Sequence, residues 1–67
     1  MHEIATIGFA DADSGDVAVM IIRAGDGRVA LALSLMHDGD VEVILAVEEC
    51  DALIKALQQA VLAASSQ

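Results

Sequence analysis

His37 stands next to Asp38 and close to Asp40, and an imidazole beside carboxylates is a familiar general-base arrangement. Catalysis asks for more: a nucleophile within reach of the base, paired carboxylates in a cleft, or a metal. The run His37-Asp38-Gly39-Asp40 reads instead as a tight turn whose histidine meets solvent. Cys50 lies between Glu49 and Asp51, whose charges disfavour a thiolate, and it falls on the apolar stripe of a helix, where an inert, buried thiol is expected. His2 belongs to the terminus. Gly25-Asp26-Gly27 lacks the lysine and the strand-to-helix setting of a phosphate loop. Asp11-Ala12-Asp13-Ser14-Gly15-Asp16 opens like a calcium loop, with Asp at its first and third positions. It then departs from that pattern, with Gly fifth, Asp sixth and Ile22 twelfth where a bidentate Glu is required, and a strand follows where a helix should. No catalytic residue, metal or cofactor is assigned, and the chain is read as a non-enzyme.

Composition narrows the partners. Eleven acidic against three basic residues give a net charge of −8, which excludes the clustered Lys and Arg of direct nucleic-acid binding. Phe9 is the single aromatic residue, so bases find no stacking platform. One cysteine cannot make an internal disulfide, and the Cys and His residues lack zinc-site spacing. The 57% apolar content argues against a disordered acidic tail. Met1-His2-Glu3 is not the basic start of a signal peptide, and the longest unbroken apolar run, residues 17–22, is too short to span a bilayer. A cytoplasmic chain with no membrane partner is expected. At 67 residues it forms one domain, and a domain this small buries only about 60% of its unfolded surface. Self-association relieves that shortfall.

The elements that must position these residues follow from the pattern. β-favouring runs at 4–9, 17–23, 29–36 and 41–46 alternate with Ser14-Gly15, Gly25-Asp26-Gly27 and Asp38-Gly39. Connections this short join antiparallel neighbours. From Val47 onward the period becomes helical: Cys50, Leu53, Ile54, Leu57, Val61 and Ala64 form a stripe, with Glu49, Asp51, Lys55, Gln58 and Gln59 away from it. The fold class is thus α+β: a four-stranded antiparallel meander followed by one amphipathic helix over 47–63, packed on one face of the sheet (ββββα). Residues 1–64 form the single domain, and 65–67 are expected to fray.

Turn length fixes which residues share a face. Three-residue loops at 25–27 and 37–39, the second with Gly39 in a left-handed G1 bulge, pair Ala24 with Arg28 and Met36 with Asp40. This register places Val17, Val19, Ile21, Val29, Leu31, Leu33, Leu35, Val41, Val43 and Leu45 on one core face, joined by Ile7 and Phe9 and covered by the helix. The reverse then holds Thr6, Ala18, Met20, Ile22, Ala30, Ala32, Ser34, Met36, Glu42, Ile44 and Ala46. A solvated face normally reads polar, and this one does not. The candidate interaction face is accordingly Thr6, Met20, Ile22, Ala30, Ala32, Ser34, Glu42 and Ile44, with a second copy as its expected occupant.

In a meander the first and third loops emerge at one end. Asp11, Asp13, Asp16, Asp38 and Asp40 therefore gather at an acidic pole, away from Arg23 and Arg28, which are expected near Glu48, Glu49 and Asp51. Turn chemistry alone accounts for much of this aspartate. Function is then read as a small acidic interaction module, homodimeric through its second sheet face, that binds or inhibits a basic protein. One form of it imitates phosphate charge inside a nucleic-acid-handling complex, as anti-CRISPR proteins do, and an antitoxin is physically equivalent. The alternatives are a purely structural homo-oligomer subunit and a cation or small-ligand sensor at the Asp-rich loops.

Overall fold

A computed structural model of the chain describes residues 1–66. Its elements are β1 (His2–Ala10), β2 (Val17–Gly25), β3 (Arg28–Leu35), β4 (Gly39–Ala46) and α1 (Val47–Ser65). The strands form one antiparallel sheet in the order β1-β2-β3-β4, so the ββββα meander is as the sequence indicates. Helix α1 runs to Ser65, two residues past the expected end. Ser65 Oγ donates to Val61 O at 2.7 Å and Ser66 Oγ to Leu62 O at 2.8 Å. Gln67, the last residue of the expected frayed tail, lies outside the described residues. Among the described residues no helix is long and apolar enough to cross a membrane.

The register departs from expectation at one turn. Gly25 pairs with Arg28, leaving a two-residue loop in which Asp26 (φ 55°) and Gly27 (φ 70°) are both left-handed. An Asp-Gly pair in that conformation makes the hairpin turn whose twist matches the flanking strands. Asp is also among the non-glycine residues that tolerate positive φ. The three-residue loop at 25–27 is therefore corrected, and every β2 side chain changes face. Ala18, Met20, Ile22 and Ala24 lie opposite Leu35, Leu33, Leu31 and Val29. The second hairpin keeps a three-residue loop, but at Met36-His37-Asp38, with Leu35 paired to Gly39. Gly39 is left-handed at φ 91°, as the sequence suggested. A shift of this kind preserves parity, so Leu31 and Leu33 stay on one face with the valines of β4, now opposite Val43 and Val41. In β1, Phe9, Ile7 and Ala5 pair with Ala18, Met20 and Ile22, beyond an irregularity between Glu3 and Ala5.

Two faces result. The leucine face carries Ala5, Ile7, Phe9, Ala18, Met20, Ile22, Ala24, Val29, Leu31, Leu33, Leu35, Val41, Val43 and Leu45. The alanine face carries Thr6, Val17, Val19, Ile21, Arg23, Ala30, Ala32, Ser34, Asp40, Glu42 and Ile44. Val17, Val19 and Ile21 thus leave the expected core, and Ala18, Met20 and Ile22 enter it.

Helix α1 meets only β4 and β3 and leaves most of the sheet unsheltered. β4 ends at Ala46 and α1 begins at Val47 with no linker. Ala46, the N-cap, is extended (φ −72°, ψ 161°), and its N–H donates to Glu49 Oε1 at 2.8 Å, half of a capping box. With no loop residue to turn the chain, the helix cannot lie back flat along the strand it leaves. It contacts β4 and β3 alone. Exposure climbs along the stripe, from half-buried Cys50 to Leu53 at 37%, Leu57 at 55% and Val61 at 63%. The helix therefore splays from the sheet, where the stripe was expected to cover the whole core face.

Candidate interaction surfaces

The first and third loops meet at one end of the sheet, and most of their aspartate is turn structure. Asp11 Oδ2 accepts from the backbone N–H of Ser14 (2.8 Å) and Asp13 (3.2 Å) and from Ser14 Oγ (2.9 Å). The loop closes on its own backbone, Gly15 N–H donating to Asp11 O and Asp11 N–H to Asp16 O, both at 2.8 Å. Donors aimed at a carboxylate favour its charged form, so the Ser14 bonds hold Asp11 below the usual carboxylate range. Ser34 Oγ donates to Asp40 Oδ1. Of the five aspartates at this end, only Asp13 and Asp38 accept no hydrogen bond among the described residues.

Asp16 makes a contact that the sequence reading missed. Its Oδ2 accepts from the His37 N–H at 3.0 Å, and its Oδ1 lies 2.8 Å from His37 Nδ1. Because a carboxylate only accepts, Nδ1 carries the proton of that bond. These two bonds, the backbone one foremost, hold the Asp16 carboxyl below its ordinary range. Asp38 and Asp40, the neighbours of His37 in sequence, make no such bond to it. The convergence of the two loops was legible, but nothing in the spacing marked which of five aspartates would meet the imidazole 21 residues away.

An aspartate that orients a histidine is half of a nucleophile-activating set. Here the hollow around His37 is lined by Ser14, Gly15, Asp16, Leu35 and Asp38, and Ser14 Oγ is committed to Asp11. The pair therefore works as a clasp between the first and third loops, assisted by Met36 N–H donating to Val17 O at 3.0 Å. Among the described residues no three His, Cys, Asp or Glu side chains converge to hold a metal ion.

The expected interaction face is divided by the register. Thr6, Ala30, Ala32, Ser34, Glu42 and Ile44 remain together on the alanine face, whereas Met20 and Ile22 lie on the leucine face. The alanine face supplies polar partners of its own. Arg23 Nη2 reaches over β3 to Glu42 Oε2 at 2.5 Å, and Thr6 Oγ1 donates to Glu3 Oε2 at 2.7 Å. Arg23 is thus engaged within the sheet, and not by the acids of α1. Ala30, the register partner of Arg23, is only 2% exposed.

The leucine face has no such closure. Leu45 at the helix end is half-buried, while Ile44, its neighbour on the other face, is 51% exposed. Away from that end Ile7, Phe9, Leu33, Val41 and Val43 are all exposed. Phe9, Met20, Leu33 and Val41 line an open groove of about 460 Å³, which Asp11, Asp38 and Asp40 border at the loop end. Sequence reasoning placed the leucines together but assumed them covered. The adjacency of Ala46 and Val47 was the available sign that they are not. Comparison with known protein families, with curated proteins and with solved structures finds no match.

Proposed function

We propose that this chain is a non-enzymatic interaction module that works as a homo-oligomer, its apolar core being completed by a second copy. One observation carries the reading: among the described residues only Ala18 and Ala30 are buried, at 4% and 2% exposure. The other apolar residues are at best half-buried, and burial that shallow offsets little of the conformational entropy of ordering the chain, about 1.5 kcal/mol per residue. The dimensions agree. The radius of gyration is 13.4 Å, against about 11 Å for a compact domain of this length. Exposed apolar surface on this scale marks an association site.

Light scattering and thermal unfolding over a dilution series test the reading. The expected result is a multiple of the chain mass and a melting temperature that rises with concentration. A single-chain mass with a concentration-independent melting temperature overturns it. Docking of a basic protein at the acidic pole is the lesser reading, because Asp11, Asp16 and Asp40 are already engaged and the free carboxylates reduce to Asp13 and Asp38. The same engagement weighs against a cation or ligand sensor at those loops.

A further inference from the structure

Resting on that self-associating reading, we infer that the assembly is a reciprocal exchange: α1 of each copy lies along the leucine face of the other, about a two-fold axis. The direct Ala46-to-Val47 junction holds α1 at an angle to its own sheet, because strand-to-helix reversals ordinarily use a loop of about 2–6 residues. The stripe on α1 and the leucine face are therefore complementary surfaces of one chain that the chain cannot bring fully together. Their lengths match. Nineteen helical residues span about 28 Å, and strands of eight or nine residues span about the same.

Area and charge select a second copy as the occupant. The exposed side chains of Ile7, Phe9, Leu33, Val41 and Val43, with Leu53 to Val61 on the stripe, present on the order of 800 Å² per copy. Two copies together then bury about twice that area, the size of a standard stable interface. Each copy carries a charge of −8, so apposed surfaces must keep their acids apart. Both of these do. The strands carry no charged side chain on the leucine face, Asp11, Asp38 and Asp40 bordering its groove only at the loop end, and α1 has none after Lys55. The alanine face, by contrast, would press Glu42 and Asp40 against a partner. A two-fold exchange uses each surface once per copy and leaves neither open, so the assembly closes as a dimer.

Disulfide trapping in a Cys50→Ser background tests the arrangement in the full chain. One chain carries Leu57→Cys on the helix, and another carries Leu33→Cys or Val43→Cys on the sheet. The expected result is a covalent dimer containing one of each when the two are mixed and refolded, and little covalent dimer from either alone. Isotope-filtered NOE spectra of a mixture of labelled and unlabelled native chain give the same reading without substitution. There, contacts are expected between the methyls of Leu57 or Val61 in one copy and those of Leu33 or Val43 in the other. An oligomer whose links or NOEs run only helix to helix or only sheet to sheet overturns the exchange and leaves self-association standing. Links confined within a double-cysteine chain of single-chain mass overturn both, since α1 then closes on its own sheet.

Discussion

On the alanine face Arg23 reaches over β3 to Glu42, Ser34 donates to Asp40, and Thr6 donates to Glu3. Across the same four strands the leucine face presents aliphatic side chains, Met20 and Phe9, apart from His2 at its edge. The contrast shows that apolar content alone does not identify the surface that needs a partner. Apart from Val17 and Ile44, alanine and short polar pairs leave little area for water to penalise, whereas the half-exposed leucine and valine side chains of the other face each forgo much of the roughly 1.5–3 kcal/mol that full burial supplies. Both faces read as apolar in sequence. Only one lacks polar groups able to satisfy one another.

The largest test sets the two faces against each other with one substitution type. Ile22 and Ile44 lie on opposite faces, Ile22 across from Leu31 and Ile44 across from Ala30. Ile22→Glu places a carboxylate among leucines with no donor near it, and is expected to cost about 3 kcal/mol or more and to dissociate the assembly. Ile44→Glu, on the half-exposed alanine side near Arg28, is expected to leave mass and melting temperature close to those of the parent. Sedimentation and thermal unfolding of both variants decide the matter. A monomeric Ile44→Glu beside an intact Ile22→Glu would invert the assignment of the faces.

How much of this was legible depends on one residue of loop length. Glycine punctuation and apolar alternation sufficed to read four strands, their order and the helix start, because those signals are local. The shared face of Leu31 and Leu33 with the valines of β4 also survived, though not their pairing, since moving that loop from 37–39 to 36–38 shifts the register by two and keeps parity. The face of β2 did not. Gly25-Asp26-Gly27 contains both a three-residue loop ending in a left-handed glycine and a two-residue Asp-Gly turn, and gathering the bulky aliphatics of β2 and β3 on one face favours the first. That criterion failed because Val19 and Ile21 are not buried against the leucines; they share the alanine face. The acidic pole was legible as a place, but its wiring required the distance from Asp16 to His37.

The turn itself offers the intermediate test. Gly27 is left-handed, and a Cβ there would meet nothing within 4 Å, so any cost of substitution is backbone conformation alone. Gly27→Val is expected to lower stability by about 1–2 kcal/mol, without the loss of assembly expected of Ile22→Glu. Asp26→Gly, which keeps the turn chemistry, is expected to be nearly neutral. Denaturant unfolding of both variants checks this. If Gly27→Val matches the parent, the two-residue turn does not set the register that separates the faces.

The smallest effect belongs to the pole, where polar groups already satisfy one another. Asp16 and Asp11 are held below their ordinary value of 3.8 by hydrogen bonds from His37 and Ser14. A carboxyl whose pKa is depressed on folding adds stability that is fully present above its unfolded value and is lost as pH falls through the folded one. The contribution of this pair is therefore constant from neutral pH down to about 5, and fades below about 4. Asp16→Asn keeps an acceptor for the His37 N–H but removes the titrating charge. It is expected to lower the melting temperature slightly at pH 7 and to flatten its fall below pH 4, with the assembly mass unchanged. Asp13→Asn, which touches no donor, is expected to leave the acid limb of the curve as it is. Melting curves of the three proteins from pH 2.5 to 7 separate the cases: parallel acid limbs for the parent and Asp16→Asn would mean that the clasp between the two loops contributes nothing to folding, and a change of mass would tie the pole to the leucine face after all.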